Sequence, residues 1–157
     1  SPRLQGPPPA HRQRSARGWG WLGPQRGFQG SPWGFQCWGW SWETLESAGA
    51  RGTRPRGGFY LMPHMEPLRE KLNIQNSQAL CEYLLENTGV AALPGTAFGR
   101  APDELSCRLA CVDFDGAAAL AAVRELPAGS EPGEAFLAQY CQPTFDGIRR
   151  IAAIFQD

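Results

Sequence analysis

The N-terminal part of the sequence is poor in the residues that usually build a core. Residues 1–57 have almost no β-branched side chains, whereas all six tryptophans of the chain stand at or before Trp42. Proline, glycine, arginine and glutamine fill most of the remainder without a period of 2.0 or 3.6 residues, so the pattern indicates neither a strand nor an amphipathic helix. We therefore predict that residues 1–57 form a low-complexity, disordered arm and that the folded domain begins at residue 58.

Acidic residues are also scarce in this arm, and the interpretation of its charge stays open. Eight arginines stand against Glu43 and Glu46, whereas residues 58–157 carry an excess of acidic groups of the same size. Arginines interleaved with aromatic rings can hold single-stranded nucleic acid through phosphate contacts and base stacking. An arginine-rich leader is also typical of an organellar transit peptide. The third interpretation is an extension without a function of its own, or sequence read through the wrong frame of a gene.

The chain lacks long apolar runs and closely spaced cysteine pairs. No run of eighteen apolar residues exists, so we predict no membrane contact and a cytoplasmic protein. The odd number of cysteines and the absence of C-x-x-C predict free, buried thiols instead of disulfides. Cys107 and Cys111 share one face of an extended segment without further nearby ligands, and we predict no metal site. The cysteines are Cys37, Cys81, Cys107, Cys111 and Cys141.

Beyond residue 57 the sequence alternates between strand and helix patterns. In the last segment Ile148, Ile151, Ala152 and Phe155 recur at helical spacing, which predicts an amphipathic helix that starts near residue 143. The result is an α/β or α+β layer. The other predicted strands are 58–63, 90–93 and 108–112, and the other predicted helices are 66–72, one capped by Ser77 and ended by Gly89, and one from Asp115 to Leu126.

Five segments follow one another in a characteristic order and spacing after residue 57. They are Gly-Phe-Tyr-Leu-Met-Pro at 58–63, Leu-Cys-Glu-Tyr-Leu-Leu-Glu at 80–86, Gly-Val-Ala-Ala-Leu-Pro-Gly-Thr-Ala-Phe-Gly at 89–99, Arg-Leu at 108–109, and Asp-Phe-Asp-Gly-Ala at 113–117. Together they resemble the small domain of class I/II aminotransferases, the pyridoxal-phosphate enzymes of fold-type I. The resemblance covers roughly residues 58–157 and implies a partial C-terminal domain of such an enzyme.

Within this resemblance Arg108 is the candidate site residue. It matches the arginine that binds the α-carboxylate of the substrate in the family, and it stands nine residues after Gly99. A guanidinium suits this role, because it offers two parallel N–H donors to two carboxylate oxygens and stays charged. The turn at residues 94–99 is interpreted as architecture, in which glycine permits a positive φ and a close approach of the backbone.

The residues that would hold pyridoxal phosphate in the family have no counterpart here. The family binds this cofactor on a lysine, whereas the one lysine of this chain, Lys71, stands in a polar helical segment without the family's Ser-x-x-Lys context. His11 and His64 are not placed beside a nucleophile by any motif. Asp113 and Asp115 are explained as a strand end and a helix cap. We predict no catalytic, cofactor-binding or metal-binding residue.

The sequence therefore predicts an inactive fragment of an aminotransferase. The resemblance implies that the complete enzyme moves an amino group between an amino acid and a 2-oxo acid. Family members are homodimers, but their large domain makes most of the interface, so dimerisation is not carried over to this part. The alternative is a non-enzymatic protein whose basic, aromatic arm contacts nucleic acid; an incomplete copy without a function is a third possibility, to which the start at Ser1 points.

Overall fold

The computed structural model of the chain describes residues 32–56, 58–127, 130 and 132–156, with side chains from residue 37 onward. Helices outnumber strands, and the strands are short. In chain order the elements are α1 (Pro32–Ala48), β1 (Tyr60–Leu61), α2 (Leu68–Leu72), α3 (Ser77–Thr88), β2 (Leu93–Pro94), a turn of 3-10 helix (Gly95–Phe98), β3 (Cys107–Ala110), α4 (Gly116–Arg124), α5 (Glu134–Tyr140) and α6 (Gln142–Ile154).

The strands form one antiparallel sheet with β3 in the middle, in the order β1-β3-β2. Side chains alternate between the two faces of a strand. Cys107 and Leu109 of β3 are accordingly buried, whereas Arg108 is half-buried and Ala110 is exposed on the opposite face. This open face carries the candidate site, and the mixed α/β class predicted from the sequence is confirmed.

The core lies between α1, α3, α6 and the inner face of the sheet. Trp42, Leu45, Leu80 and Ile151 are fully buried there. A second, smaller cluster joins α1 to the α5–α6 hairpin, where the ring of Trp40 stacks on Phe145 at 4.3 Å between centroids. The stripe predicted for the last helix is confirmed, since it supplies three buried isoleucines to the main core, Ile148, Ile151 and Ile154.

Helix α1 lies within the region that the sequence predicts to be a disordered arm, and the structure differs from that prediction. Trp38, Trp42 and Leu45 stand at i, i+4 and i+7, so that one side of the helix faces the core. In this helix the indole rings of Trp38 and Trp42 fill the core, as aliphatic side chains do in the other helices. The folded unit therefore includes residues before 58, and residues 1–31 of the predicted arm lie outside the described residues.

Helix ends are set by local hydrogen bonds, which confirm some predictions and correct others. Asp115 caps α4 as predicted, because its side chain accepts hydrogen bonds from the backbone N–H groups of Ala117 and Ala118. Gly89 ends α3 with a φ of 71°. The predicted cap at Ser77 is wrong: Asn76 takes this place, with its Oδ1 2.9 Å from Ala79 N.

Two further differences concern length and number of elements. The strands span two to four residues, shorter than predicted, because only part of each extended run pairs with a neighbour. Helix α5 was not predicted, since its seven residues follow a stretch rich in glycine and proline. No helix among the described residues is long and apolar enough to cross a membrane. All five cysteines are free and buried, as predicted, and burial raises the pKa of Cys111 to about 11.

Candidate functional site

Arg108 lies in the centre of the open face of the sheet. It pairs with Leu93 of β2, and its neighbour on the same face, Ala110, pairs with Tyr60 of β1. Because β3 is the middle strand, its backbone is held from both sides, and the position of Arg108 is fixed by the sheet. The side chain remains half-buried at a surface where solutes can reach it.

Two aromatic rings flank the guanidinium of Arg108. Its Cζ lies over the Tyr60 ring, 4.2 Å from the centroid, and over the Phe98 ring at 4.4 Å. One ring comes from β1 and the other from the turn that follows β2, so they approach from the two sides of β3. The N–H donors of a guanidinium lie in its plane, and contacts with its faces leave these donors available.

The positive charge of Arg108 has no carboxylate partner among the described residues. Ion pairs in this part of the chain join Glu43, Glu66 and Glu104 to other basic groups. Glu104 accepts a hydrogen bond from Arg100 at 2.8 Å, which holds its pKa below the ordinary value and keeps its charge engaged there. The guanidinium of Arg108 on the open face is thus not neutralised by a carboxylate of the described residues and can attract an anion.

The turn at residues 94–99 places Phe98 beside the arginine. Gly95 N donates to Ser106 O at 2.9 Å, so the turn is attached to the residues that lead into β3. A Cβ at Gly95 would overlap Ser106 Oγ, and Gly99 has a φ of 76°. Both roles expected of glycine here, close approach and positive φ, are confirmed.

Sequence reasoning missed Tyr60 and Phe98 as parts of the site. Both stand in the segments that carry the family resemblance, but no role was predicted for either. The sequence did offer one signal: Tyr60 stands in a short predicted strand and Phe98 in a glycine turn, where an aromatic side chain is expected to be exposed. Their side chains are 44% and 39% exposed, which is high for rings of this size.

The remaining candidate groups lie elsewhere and are not arranged for catalysis. His64 pairs with Glu104 at 3.4 Å and stands opposite Ser106 in an isolated bridge, but Ser106 is fully buried and its Oγ makes no hydrogen bond to the imidazole. Asp113 and Asp115 are a loop residue and a helix cap. No group of three His, Cys, Asp or Glu in the described ranges could hold a metal ion.

The residues around Arg108 do not fit pyridoxal phosphate. Covalent attachment requires a lysine at the site, and the single lysine of the sequence, Lys71, is exposed on α2. The open face supplies instead two aromatic rings, a leucine and one guanidinium. This set can bind a carboxylate against an apolar wall, but it offers neither a covalent anchor nor a general base.

Comparison with known proteins points to one group of enzymes. The chain is 35% identical over 63 residues to a protein of Saccharomyces cerevisiae named inactive alanine aminotransferase. The matched part is 36% of this chain and 12% of that relative, so the chain spans a small share of its length. The chain resembles part of a fold-type I aminotransferase. The resemblance predicted from the motifs after residue 57 is thus confirmed.

Solved structures similar to this aminotransferase-like chain include two aminotransferases. One is an aromatic aminotransferase from Pyrococcus horikoshii OT3, with a TM-score of 0.49 and 19% identity over 76% of this chain and 23% of that chain. The other is an aspartate aminotransferase from Thermotoga maritima, with a TM-score of 0.45 and 20% identity over 76% of this chain and 22% of that chain. No protein-family model matches the chain.

Proposed function

We propose that the chain is a small-domain fragment of an aminotransferase in which Arg108 binds the α-carboxylate of an amino acid or 2-oxo acid. The observation that carries this proposal is the guanidinium on the open face, which is held between two rings and lacks a carboxylate partner in the described part of the chain. A carboxylate with two oxygens matches the two in-plane donors of such a group. The substrate side chain is left to other parts of the complete enzyme.

We also propose that this chain alone does not transfer an amino group. The reaction requires pyridoxal phosphate bound to a lysine that also moves a proton. Lys71 is exposed on a short helix outside the group of residues that contact Arg108. A carboxylate bound at Arg108 would therefore meet no catalytic partner from this chain.

Replacement of Arg108 by lysine tests the carboxylate site. The backbone amide signals of Leu93 and Leu109, beside Arg108 in the sheet, are followed by NMR in the ¹⁵N-labelled full chain and in the variant while sodium propionate is added, with propionamide at matched ionic strength as the neutral ligand. We expect these signals, and one arginine Nε–Hε signal of the unchanged chain, to shift saturably with propionate and not with propionamide. In Arg108→Lys the bidentate geometry is lost although the charge remains, so the Kd should rise about tenfold, which corresponds to about 1.4 kcal/mol.

Arg149→Lys is the matched control. Arg149 is an exposed arginine on α6 that also lies near an aromatic ring, with its Cζ 5.4 Å from the centroid of Phe145. This variant should bind propionate like the unchanged chain. Equal loss of binding in both variants, or no loss in Arg108→Lys, would show that no bidentate contact specific to Arg108 binds the carboxylate and would contradict the proposed site.

The alternative function, nucleic-acid binding by the arm, has fewer free aromatic rings than the sequence indicated. Trp38 and Trp42 are buried in the core, and Trp40 packs against Phe145, so these rings do not stack on bases in the folded chain. The arginines of residues 1–31 lie outside the described residues. We therefore favour the carboxylate site over the arm as the functional part.

A further inference from the structure

Tyr60 and Phe98 contact Arg108 from two sides, and both are more exposed than aromatic residues that stabilise a core. Both rings are far from fully buried, and neither belongs to the hydrophobic core. Each instead contacts the guanidinium. We infer that Tyr60 and Phe98 are positioning residues, which hold Arg108 ready for a carboxylate; this inference rests on the proposed function of Arg108.

The physical reason is the conformational entropy of a long arginine side chain. An unrestrained arginine loses rotamer entropy when a ligand fixes it. Cation–π contacts restrict the guanidinium before the ligand arrives. Because the rings contact its faces, they restrict its orientation without using its donors, and less conformational entropy is lost on binding.

The two rings are anchored independently. Tyr60 belongs to β1, where it pairs with Ala110, and its ring contacts Phe59 at 4.4 Å between centroids. Phe98 ends the Gly95–Phe98 turn, which is attached to Ser106 by a backbone hydrogen bond. Loss of either ring leaves the guanidinium supported on one side only. We therefore expect each ring to contribute to ligand affinity, and the two contributions to be coupled through Arg108.

The test uses Tyr60→Leu and Phe98→Leu in the full chain, with Tyr60→Phe and Phe98→Tyr as conservative variants that keep the ring. Two properties are measured: the Kd for propionate and the position of the Arg108 Nε–Hε signal in the ligand-free protein, which nearby rings shift. Each leucine variant should raise the Kd about fivefold, the effect of a contact at the upper end of the exposed cation–π range, and move the signal. The conservative variants should retain both properties.

Each outcome distinguishes the positioning role from the site itself. Leucine variants that bind propionate with an unchanged Kd, while Arg108→Lys loses binding, would overturn the positioning role and leave the carboxylate site intact. A purely structural role predicts lower stability with unchanged Kd and signal position, and that result overturns the inference too. Unchanged binding by Arg108→Lys removes both the site and the role of the rings.

Discussion

Gly95 holds its place at the candidate site because it has no side chain. A Cβ there would overlap Ser106 Oγ and come within 3.2 Å of Arg100 Cβ. The backbone hydrogen bond from Gly95 to Ser106 keeps these groups together, so relief of the overlap requires either a rotation of the buried Ser106 hydroxyl or a shift of the turn that carries Phe98. The close approach therefore connects a single glycine to the geometry around Arg108.

Replacing Gly95 by alanine is expected to lower the free energy of unfolding by about 1–3 kcal/mol, the usual cost of overpacking. Urea unfolding followed by circular dichroism measures this change. Ser106→Ala combined with Gly95→Ala should recover part of the loss, because the overlapping hydroxyl is removed. Gly116→Ala is the control: no atom lies within 4 Å of a Cβ added there, and it should leave stability unchanged or slightly higher.

At the scale of residues, the sequence predicts Arg108 and not its neighbours. The spacing from Gly99 and the family resemblance identify the arginine, and its chemistry indicates a carboxylate ligand. Tyr60 and Phe98 reach it only through the register of β1 on β3 and the path of the turn after β2. Register arises from pairings between segments distant in sequence, which composition and periodicity do not contain.

Helix α1 is the element in which sequence and structure differ most. Trp38, Trp42 and Leu45 follow a helical spacing, but Gly39 interrupts the segment and its surroundings are rich in glycine and proline. Glycine lowers helix propensity by about 1 kcal/mol relative to alanine, which hides the pattern. Packing on α6 stabilises the helix in the folded chain. Helices α3, α4 and α6 were predictable because their apolar residues recur at helical spacing and because Gly89 and Asp115 mark an end of α3 and of α4. Helix α5, which has no side-chain cap, was not predicted.

Trp42 provides the test of α1 as part of the folded unit. Its side chain is fully buried in the main core, so Trp42→Ala should lower the free energy of unfolding by about 3–5 kcal/mol. Thermal or urea unfolding of the variant measures this loss. Glu46→Ala, which changes an exposed residue on the same helix, should have an effect within about 0.5 kcal/mol. Equal stability of both variants would mean that the folded unit begins after α1.

At the scale of the whole molecule, the proposed carboxylate site at Arg108 is separate from Lys71, the one lysine of the sequence. After addition of pyridoxal phosphate to the purified full chain, absorbance spectroscopy, borohydride trapping and peptide mass mapping should find no stoichiometric, site-specific adduct. The reason is that Lys71 is exposed and apart from Arg108's contacts. Lys71→Arg serves as the control and should give the same spectrum.

One specific result would contradict the prediction that no cofactor adduct forms. A stoichiometric adduct on Lys71, absent from Lys71→Arg and converted by an amino acid to the pyridoxamine form, would show that the chain is catalytically competent. Binding of propionate at Arg108 could persist in either case, because the carboxylate contact does not involve the lysine. The adduct experiment therefore examines catalysis separately from recognition.

The packing of α1 on α6 has a consequence for how the protein is made. Trp42 and Leu45 enter the same core as Ile148 and Ile151, although most of the chain separates them. During translation the apolar side chains of α1 have no packing partner until α6 has left the ribosome. Contacts so distant in sequence slow folding, and waiting apolar surfaces are the ones that chaperones recognise. The tryptophan-rich helix thus exposes apolar side chains on the nascent chain until α6 is available to pack on it.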